Sequence, residues 1–234
     1  MSTPTPPLPQ AVLWDLDGTL IDSEPLWMAA EASLMAEFGI EWTHEDAMSL
    51  VGNALPVSAE IMRSHGVPLE NRQVIDRLIG EVMAGLRREV PWRAGARELL
   101  VSLQQAGVPQ ALVTMSEAVM AEAVVQGLGF DPFSVRITGD VVRNGKPHPE
   151  PYLTAVTQLE ESHGPLDPQR VVAVEDSRPG TASAMAAGLV TVAVPLHVPL
   201  EPNPGLHLLK DLDGVTPQDL ARIVAQDDAL RAGE

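Results

Sequence analysis

The amino-acid sequence predicts an α/β fold, a Rossmann-like parallel-sheet core with a small α-helical cap domain inserted near its start. Three observations predict it. Short apolar runs are continuous rather than alternating, as in strands buried on both faces. Helical patterns closed by Gly or by Pro/Gly-rich turns alternate with those runs. One long stretch, from about Glu24 to Arg88, carries helical periodicity and no convincing strand.

Taken in order, the opening MSTPTPPLPQ has neither a basic segment nor an apolar one, so it reads as a short disordered tail and not as a targeting signal. AVLW at 11–14 is the first strand. Leu26, Ala30, Leu34 and Phe38 recur every fourth residue in the next segment, and so do Val74, Leu78, Val82 and Leu86 further on, each set drawing one apolar stripe along a helix. Residues 24–88 are therefore expected as the helical cap, with 1–23 and 89–234 as the core. In the core, VPQALV (108–113), VVAV (171–174) and LVTVAV (189–194) are strands, with a further one near Val135 to Thr138. Helices are expected at Glu98–Ala106, Glu117–Leu128, Pro151–Glu161 and Pro179–Ala187. A terminal helix follows Thr216 as N-cap, with Pro217 in its first position and Leu220, Ile223 and Val224 facing inward.

Composition narrows the function classes. Thirty-two acidic against 15 basic residues give a formal charge of -17 over 234 residues, which repels a phosphate backbone, and 3% aromatic content leaves few rings to stack bases. Nucleic acid is excluded as the expected partner. No run of apolar residues is long enough for a membrane helix, so a cytoplasmic location is the default, with a monomer as the default assembly. The absence of cysteine removes disulfides, thiolate metal sites and a Cys nucleophile. The six histidines have no helical pairing that would make a zinc site, and His148 is read as serving its turn. Met28, Met35, Met48, Met62 and Met83 are read as adaptable core filling.

The chemistry lies at strand ends. DLDGTL follows the first run, placing Asp15 and Asp17 two positions apart with Gly18 free to turn the chain. In an open α/β sheet, ligands bind in the crevice beyond the carboxyl ends of the strands. Two carboxylates there are costly unless a cation joins them, and a hard, oxygen-seeking ion such as Mg2+ suits them. Thr114 ends QALV, Glu175 and Asp176 end VVAV, and Lys146 sits in the turn NGKPHPEPY. Singly, each feature has a plainer reading. DxDG can be a surface turn, although Gly18 comes too early for a calcium loop. Lys146 can be a solvated turn lysine, and with Pro147 after it the segment is no nucleotide-binding phosphate loop. The EDS before RPG can cap a helix through Asp176 or Ser177.

Together, DLDGTL, the VT of LVTMS, the K of GKPHPEPY and the ED of VAVEDSRPG resemble the ordered motifs of the haloacid dehalogenase superfamily, over a span from Val12 to about Val194. DLDGTLIDSEPLW is similar to the sugar-phosphatase and β-phosphoglucomutase-like branch. The resemblance implies a Mg2+-dependent phosphatase acting on a small phosphorylated metabolite, such as a sugar phosphate. It implies Asp15 as nucleophile, Asp17 as acid and base, Thr114 and Lys146 on the phosphoryl oxygens, and Asp15, Asp17 (through its carbonyl), Asp176 and Glu175 around the metal. Members that cleave carbon–halogen bonds lack an acid at the position of Asp17, which disfavours dehalogenation. Trp27 stands where related mutases carry histidine, which favours hydrolysis over a phosphomutase, the alternative; a non-catalytic binding protein on the same fold is the second alternative. Trp14 replaces a commoner phenylalanine, and Arg93-Ala94-Gly95 replaces a commoner Pro-Gly. Glu24, Trp27, Gly52 and Asn53 are the candidate substrate-binding residues of the cap, with plain packing and turn roles as the competing reading.

Overall fold

A computed structural model describes residues 6–51, 53 and 55–233. The first residues of the tail read from the sequence, and Gly52 among the candidate substrate residues, lie outside the described residues. The chain divides into two compact units, one made of the residues up to Ile21 together with those from Trp92 onward, the other Asp22–Pro91.

The first unit holds six strands, β1 (Ala11–Trp14), β2 (Gln110–Val113), β3 (Val135–Ile137), β4 (Val171–Glu175), β5 (Val190–Ala193) and β6 (Leu206–Leu208). They form one sheet in the order β3-β2-β1-β4-β5-β6, every pairing parallel. Every residue of β1, β2, β4 and β5 is buried, which explains the unbroken apolar runs. Leu13 and Ala11 pack with Tyr152, Ala155 and Leu159 of α7 (Glu150–His163) and Ala184 of α8 (Arg178–Ala186). Trp14 points the other way, where its indole N–H donates to Gln110 at 2.9 Å and Gln110 donates to the Leu100 carbonyl of α5 (Ala96–Gln105) at 3.0 Å. Burying each such large side chain contributes on the order of 1.5–3 kcal/mol.

α6 (Ala118–Leu128) and α9 (Pro217–Ala232) complete this unit. Thr216 caps α9 in a reciprocal box with Asp219, as its position before Pro217 predicts. The strand β6 is absent from the sequence reading. It is a three-residue edge strand, part-exposed, with His207 between its two leucines, and such a segment offers no apolar run to recognise.

Among the described residues, the regular elements of the second unit are helices: α1 (Glu24–Glu37), α2 (His44–Leu50), α3 (Leu55–Ser64) and α4 (Asn71–Arg88). Ala30 and Leu34 of α1 and Val74, Leu78, Val82 and Leu86 of α4 are buried, so the four-residue stripes are the packed faces. Gly85 lets α1 approach closely, since a Cβ there would lie 2.7 Å from a Leu26 methyl. Asp22 donates to the Pro91 carbonyl at 2.9 Å, closing the unit where the chain enters and leaves it.

Candidate active site

The chain order and the sheet order together create the site. After β1 the chain builds β2 and β3 on one side, then crosses to build β4, β5 and β6 on the other, so the connections diverge beside β1. A crevice opens at that switch point, beyond the carboxyl ends of the strands. Asp15 follows β1 and extends its ladder, donating to the Val174 carbonyl at 3.0 Å. Thr114 follows β2, and Glu175 ends β4.

The turn after Asp15 is tight. Gly18 adopts φ +84, a left-handed conformation open to glycine, and donates to the Ile21 carbonyl at 2.8 Å. A Cβ at Gly18 would lie 2.0 Å from Asp176 Oδ2, so only a bare Cα admits that carboxylate. Asp17 accepts the Ser116 hydroxyl at 2.5 Å, which orients its carboxyl. Ser116 in turn donates its backbone N–H to Thr114 Oγ1 at 3.0 Å.

Lys146 is the central cation. Its ammonium donates to Asp15 Oδ1 at 2.7 Å, to Glu175 Oε1 at 2.6 Å and to the Val113 carbonyl at 2.8 Å, using all three of its N–H groups. Its side chain is only 4% exposed. Burial alone would depress its pKa, but Asp15 and then Glu175 outweigh that and hold it above the ordinary lysine value. The plain reading of Lys146 as a solvated turn residue is therefore wrong: its backbone is in the turn, and its head is inside.

Glu175 is sealed beneath the first turn of α8. Its Oε1 accepts Lys146 and the Tyr152 hydroxyl at 2.7 Å, and its Oε2 accepts the N–H of Asp176 and the hydroxyl of Ser177, both at 3.2 Å. A Cβ at Gly180 would collide with the same carboxylate, at 1.9 Å from Oε2. Ser177 is also the helix N-cap, accepting from Gly180 at 3.1 Å.

Charge is unbalanced here. Asp15, Glu175 and Asp176 each offer an oxygen within 4.8 Å of the others, and Lys146 stands among them as the direct ion-pair partner of Asp15 and Glu175. Burial first, then the charges of Asp15 and Glu175, push the Asp176 carboxyl up to about 8. Burial also raises Glu175, partly offset by Lys146. Asp15 Oδ2 is buried and has no hydrogen-bond partner among the described residues. A divalent cation would supply the missing positive charge, and oxygen-only donors suit a hard ion, so these residues fit a divalent metal.

Comparison with known proteins decides the family. The profile described as haloacid dehalogenase-like hydrolase matches residues 12–194. The chain belongs to the haloacid dehalogenase-like hydrolases. Within that family it is 29% identical over 199 residues to hexitol phosphatase B of Escherichia coli strain K12, covering 83% of this chain and 86% of that protein. It is 34% identical over 190 residues to validoxylamine A 7'-phosphate phosphatase of Streptomyces hygroscopicus subsp. limoneus, covering 79% and 85%. Among solved structures, a CbbY mutant from Rhodobacter sphaeroides in complex with xylulose-(1,5)bisphosphate matches with a TM-score of 0.79 at 25% identity, covering 91% of this chain and 99% of that one. The expectation of a phosphatase within the haloacid dehalogenase-like hydrolases is borne out.

The structure thus brings Asp15, Asp17, Thr114, Lys146, Glu175 and Asp176 to one end of the sheet. Glu24, half-buried, opens α1; Trp27, also half-buried, is on the same helix; and Asn53 is exposed after α2. Three residues with evident parts in the geometry escape the sequence reading. Ser116 could have been found from its spacing to Thr114. Tyr152 belongs to an ordinary apolar helix face and gives no sequence signal for its bond to Glu175. Arg93 stands out in the sequence only as a departure from a Pro-Gly turn.

Proposed function

We propose that this chain is a Mg2+-dependent phosphatase that hydrolyses the phosphomonoester of a small carbohydrate-like metabolite through a phosphoryl-Asp15 intermediate. The observation that carries the reading is the Asp15 carboxylate: Lys146 fixes one oxygen, while the other is buried and unpartnered. A buried carboxylate oxygen without a donor is costly, and a site that binds a phosphoryl group and a cation gives it a purpose.

In the first step a carboxylate oxygen of Asp15 attacks phosphorus, the ester P–O bond breaks, and the leaving alkoxide takes a proton from Asp17. In the second, water attacks phosphorus, gives its proton to Asp17, and breaks the bond to Asp15, releasing inorganic phosphate. Ser116 holds the Asp17 carboxyl for both transfers. Lys146 and the Thr114 hydroxyl neutralise and orient the phosphoryl oxygens.

Asp15, Asp176 and the Asp17 carbonyl would hold the metal, which when bound supplies electrostatic stabilisation of the phosphoryl charge. Glu175 takes a different part: with both oxygens engaged by Lys146, Tyr152, Asp176 and Ser177, it anchors the lysine. We assign substrate selection to Glu24, Trp27 and the Gly52-Asn53 segment of the helical unit. Relatives named hexitol phosphatase B, validoxylamine A 7'-phosphate phosphatase and, in Thermotoga maritima, phosphorylated carbohydrates phosphatase support a carbohydrate-like substrate. Trp27, where related mutases carry histidine, supports release to water.

A panel of sugar, sugar-alcohol and cyclitol phosphates, assayed for inorganic phosphate with chelator and with Mg2+ restored, tests the reading. Metal-dependent phosphate release that Asp15→Asn abolishes is expected. Chelator-insensitive release, or an isomeric sugar phosphate as sole product, contradicts it.

A further inference from the structure

The turn that carries Asp17 is held by a side chain to which the reaction scheme above gives no part. Arg93 follows immediately on the return of the chain from the helical unit, and its backbone is fixed on two sides. Its N–H donates to the Leu20 carbonyl at 2.9 Å, and Gly95 two residues on, at φ +76, is packed so closely that a Cβ would lie 1.9 Å from the Leu212 carbonyl oxygen. From this base the guanidinium donates through Nη1 to the carbonyls of Gly18 and Val194 and through Nη2 to that of Pro195 at 3.4 Å.

Those carbonyls come from distant parts of the chain. Gly18 belongs to the turn after β1, while Val194 and Pro195 follow β5, two strands away across the sheet. Spanning them takes a planar fork with several fixed N–H groups, which arginine has and lysine lacks. Gly18 is thereby gripped from two directions, its carbonyl by Arg93 and its Cα by the Asp176 carboxylate. Asp17 is the residue next to this grip. The positive charge of Arg93 also reaches Asp176, where it works against the surplus of carboxylates.

We propose that Arg93 is a positioning residue of this active site, tying the Asp17-Gly18 turn to the end of β5 so that Asp17 and Asp176 keep a fixed placement relative to Asp15. The inference rests on the phosphatase reading for its catalytic consequence and on the turn alone for its consequence in metal binding. The carbonyls that the Arg93 fork holds belong to the backbone of Gly18, Val194 and Pro195. Without its fork, the turn stays tethered through Gly18 N–H and Ile21 but loses its link to β5.

Arg93→Met keeps the apolar stem and removes the fork; Arg93→Lys keeps the charge and loses the geometry. Both are compared with the wild type by p-nitrophenyl phosphate turnover in saturating Mg2+, by calorimetric titration with Mn2+ in the absence of substrate, and by thermal denaturation. In folded Arg93→Met, kcat is expected to fall by about tenfold or more with KM nearly unchanged, because a misplacement of about 1 Å can cost on that order or more. Mn2+ affinity is expected to fall with it, and millimolar guanidinium is expected to restore part of kcat in the variant only. Should Arg93→Met fail to fold, Arg93→Lys carries the same comparison, with a smaller loss in the same direction. Loss of either kcat at constant KM or Mn2+ affinity in a folded variant supports the inference. Wild-type kcat and wild-type Mn2+ affinity in a folded variant overturn it. If the wild type turns over neither p-nitrophenyl phosphate nor any member of the sugar, sugar-alcohol and cyclitol phosphate panel, the phosphatase reading fails, and the Mn2+ titration alone decides the part of Arg93.

Discussion

Glu175 receives the Lys146 ammonium at 2.6 Å while its own side chain is 0% exposed. The same ammonium reaches Asp15 at 2.7 Å, so one buried lysine joins the carboxylate that follows β1 to a carboxylate that has no access to solvent. Removing the lysine leaves both acids facing each other without a cation. Lys146→Met is expected to lower stability by about 3–5 kcal/mol, as breaking a buried pair does, and to lower kcat on the order of a hundredfold or more. Urea denaturation and steady-state kinetics check the two halves separately.

The adjacent acids Glu175 and Asp176, at the end of β4 and just after it, are expected to separate in metal titrations. Asp176→Asn should raise the Mg2+ concentration for half-maximal activity by about tenfold or more, as loss of a ligating carboxylate does. Glu175→Gln should lower kcat by loosening Lys146 while moving the Mg2+ requirement far less. The opposite ranking would make Glu175 the ligand and Asp176 the support.

These features were unequally legible in the sequence. Asp15, Thr114, Glu175 and Asp176 were readable because a parallel sheet buried on both faces writes its strands as apolar runs, and the residue that ends a run must lie at the crevice. The division of labour between Glu175 and Asp176 was not, because it depends on the first turn of α8 directing the Asp176 N–H and Ser177 hydroxyl back at one carboxylate. Nor was Tyr152, whose hydroxyl reaches Glu175 from the middle of an apolar helix face. β6 was missed because a short, part-exposed edge strand has no pattern of its own.

In the helical unit, Glu31 is 4% exposed, and its Oε2 lies beyond hydrogen-bond distance of a donor among the described residues. Burial, then the charge of Glu24, pushes its pKa up from 4.5 to about 7, with the Trp42 indole N–H acting in the other direction. A carboxyl raised in the folded state contributes stability that is present below the unfolded value and is lost as pH rises through the folded one. Wild-type stability is therefore expected to decline between about pH 4.5 and 7 on account of this group. The decline is at most on the order of 3 kcal/mol. Glu31→Gln should match the wild type near pH 4.5 and exceed it at pH 8, as read by denaturation at both values; a variant weaker than the wild type at pH 8 would show that Glu31 is paired.

Ser116 donates its hydroxyl to Asp17 at 2.5 Å. Ser116→Ala is expected to reduce kcat by roughly tenfold, less than the 10²–10⁴-fold typical of losing a general acid–base group, because Asp17 itself remains. The loss should shrink for substrates with a good leaving group, such as p-nitrophenyl phosphate, in which protonation of the departing oxygen matters less. An equal loss on all substrates would assign Ser116 to binding rather than to Asp17.

The central claim is a covalent bond between phosphorus and Asp15, and it can be trapped. Asp17→Asn, which removes the group that activates water, is mixed with radiolabelled p-nitrophenyl phosphate and Mg2+, quenched in acid and digested. Label on the peptide bearing Asp15, released by hydroxylamine as an acyl phosphate is, is the predicted result. Label on any other residue, or turnover by the wild type with no trapped label under conditions in which Asp17→Asn still releases p-nitrophenol, would contradict it.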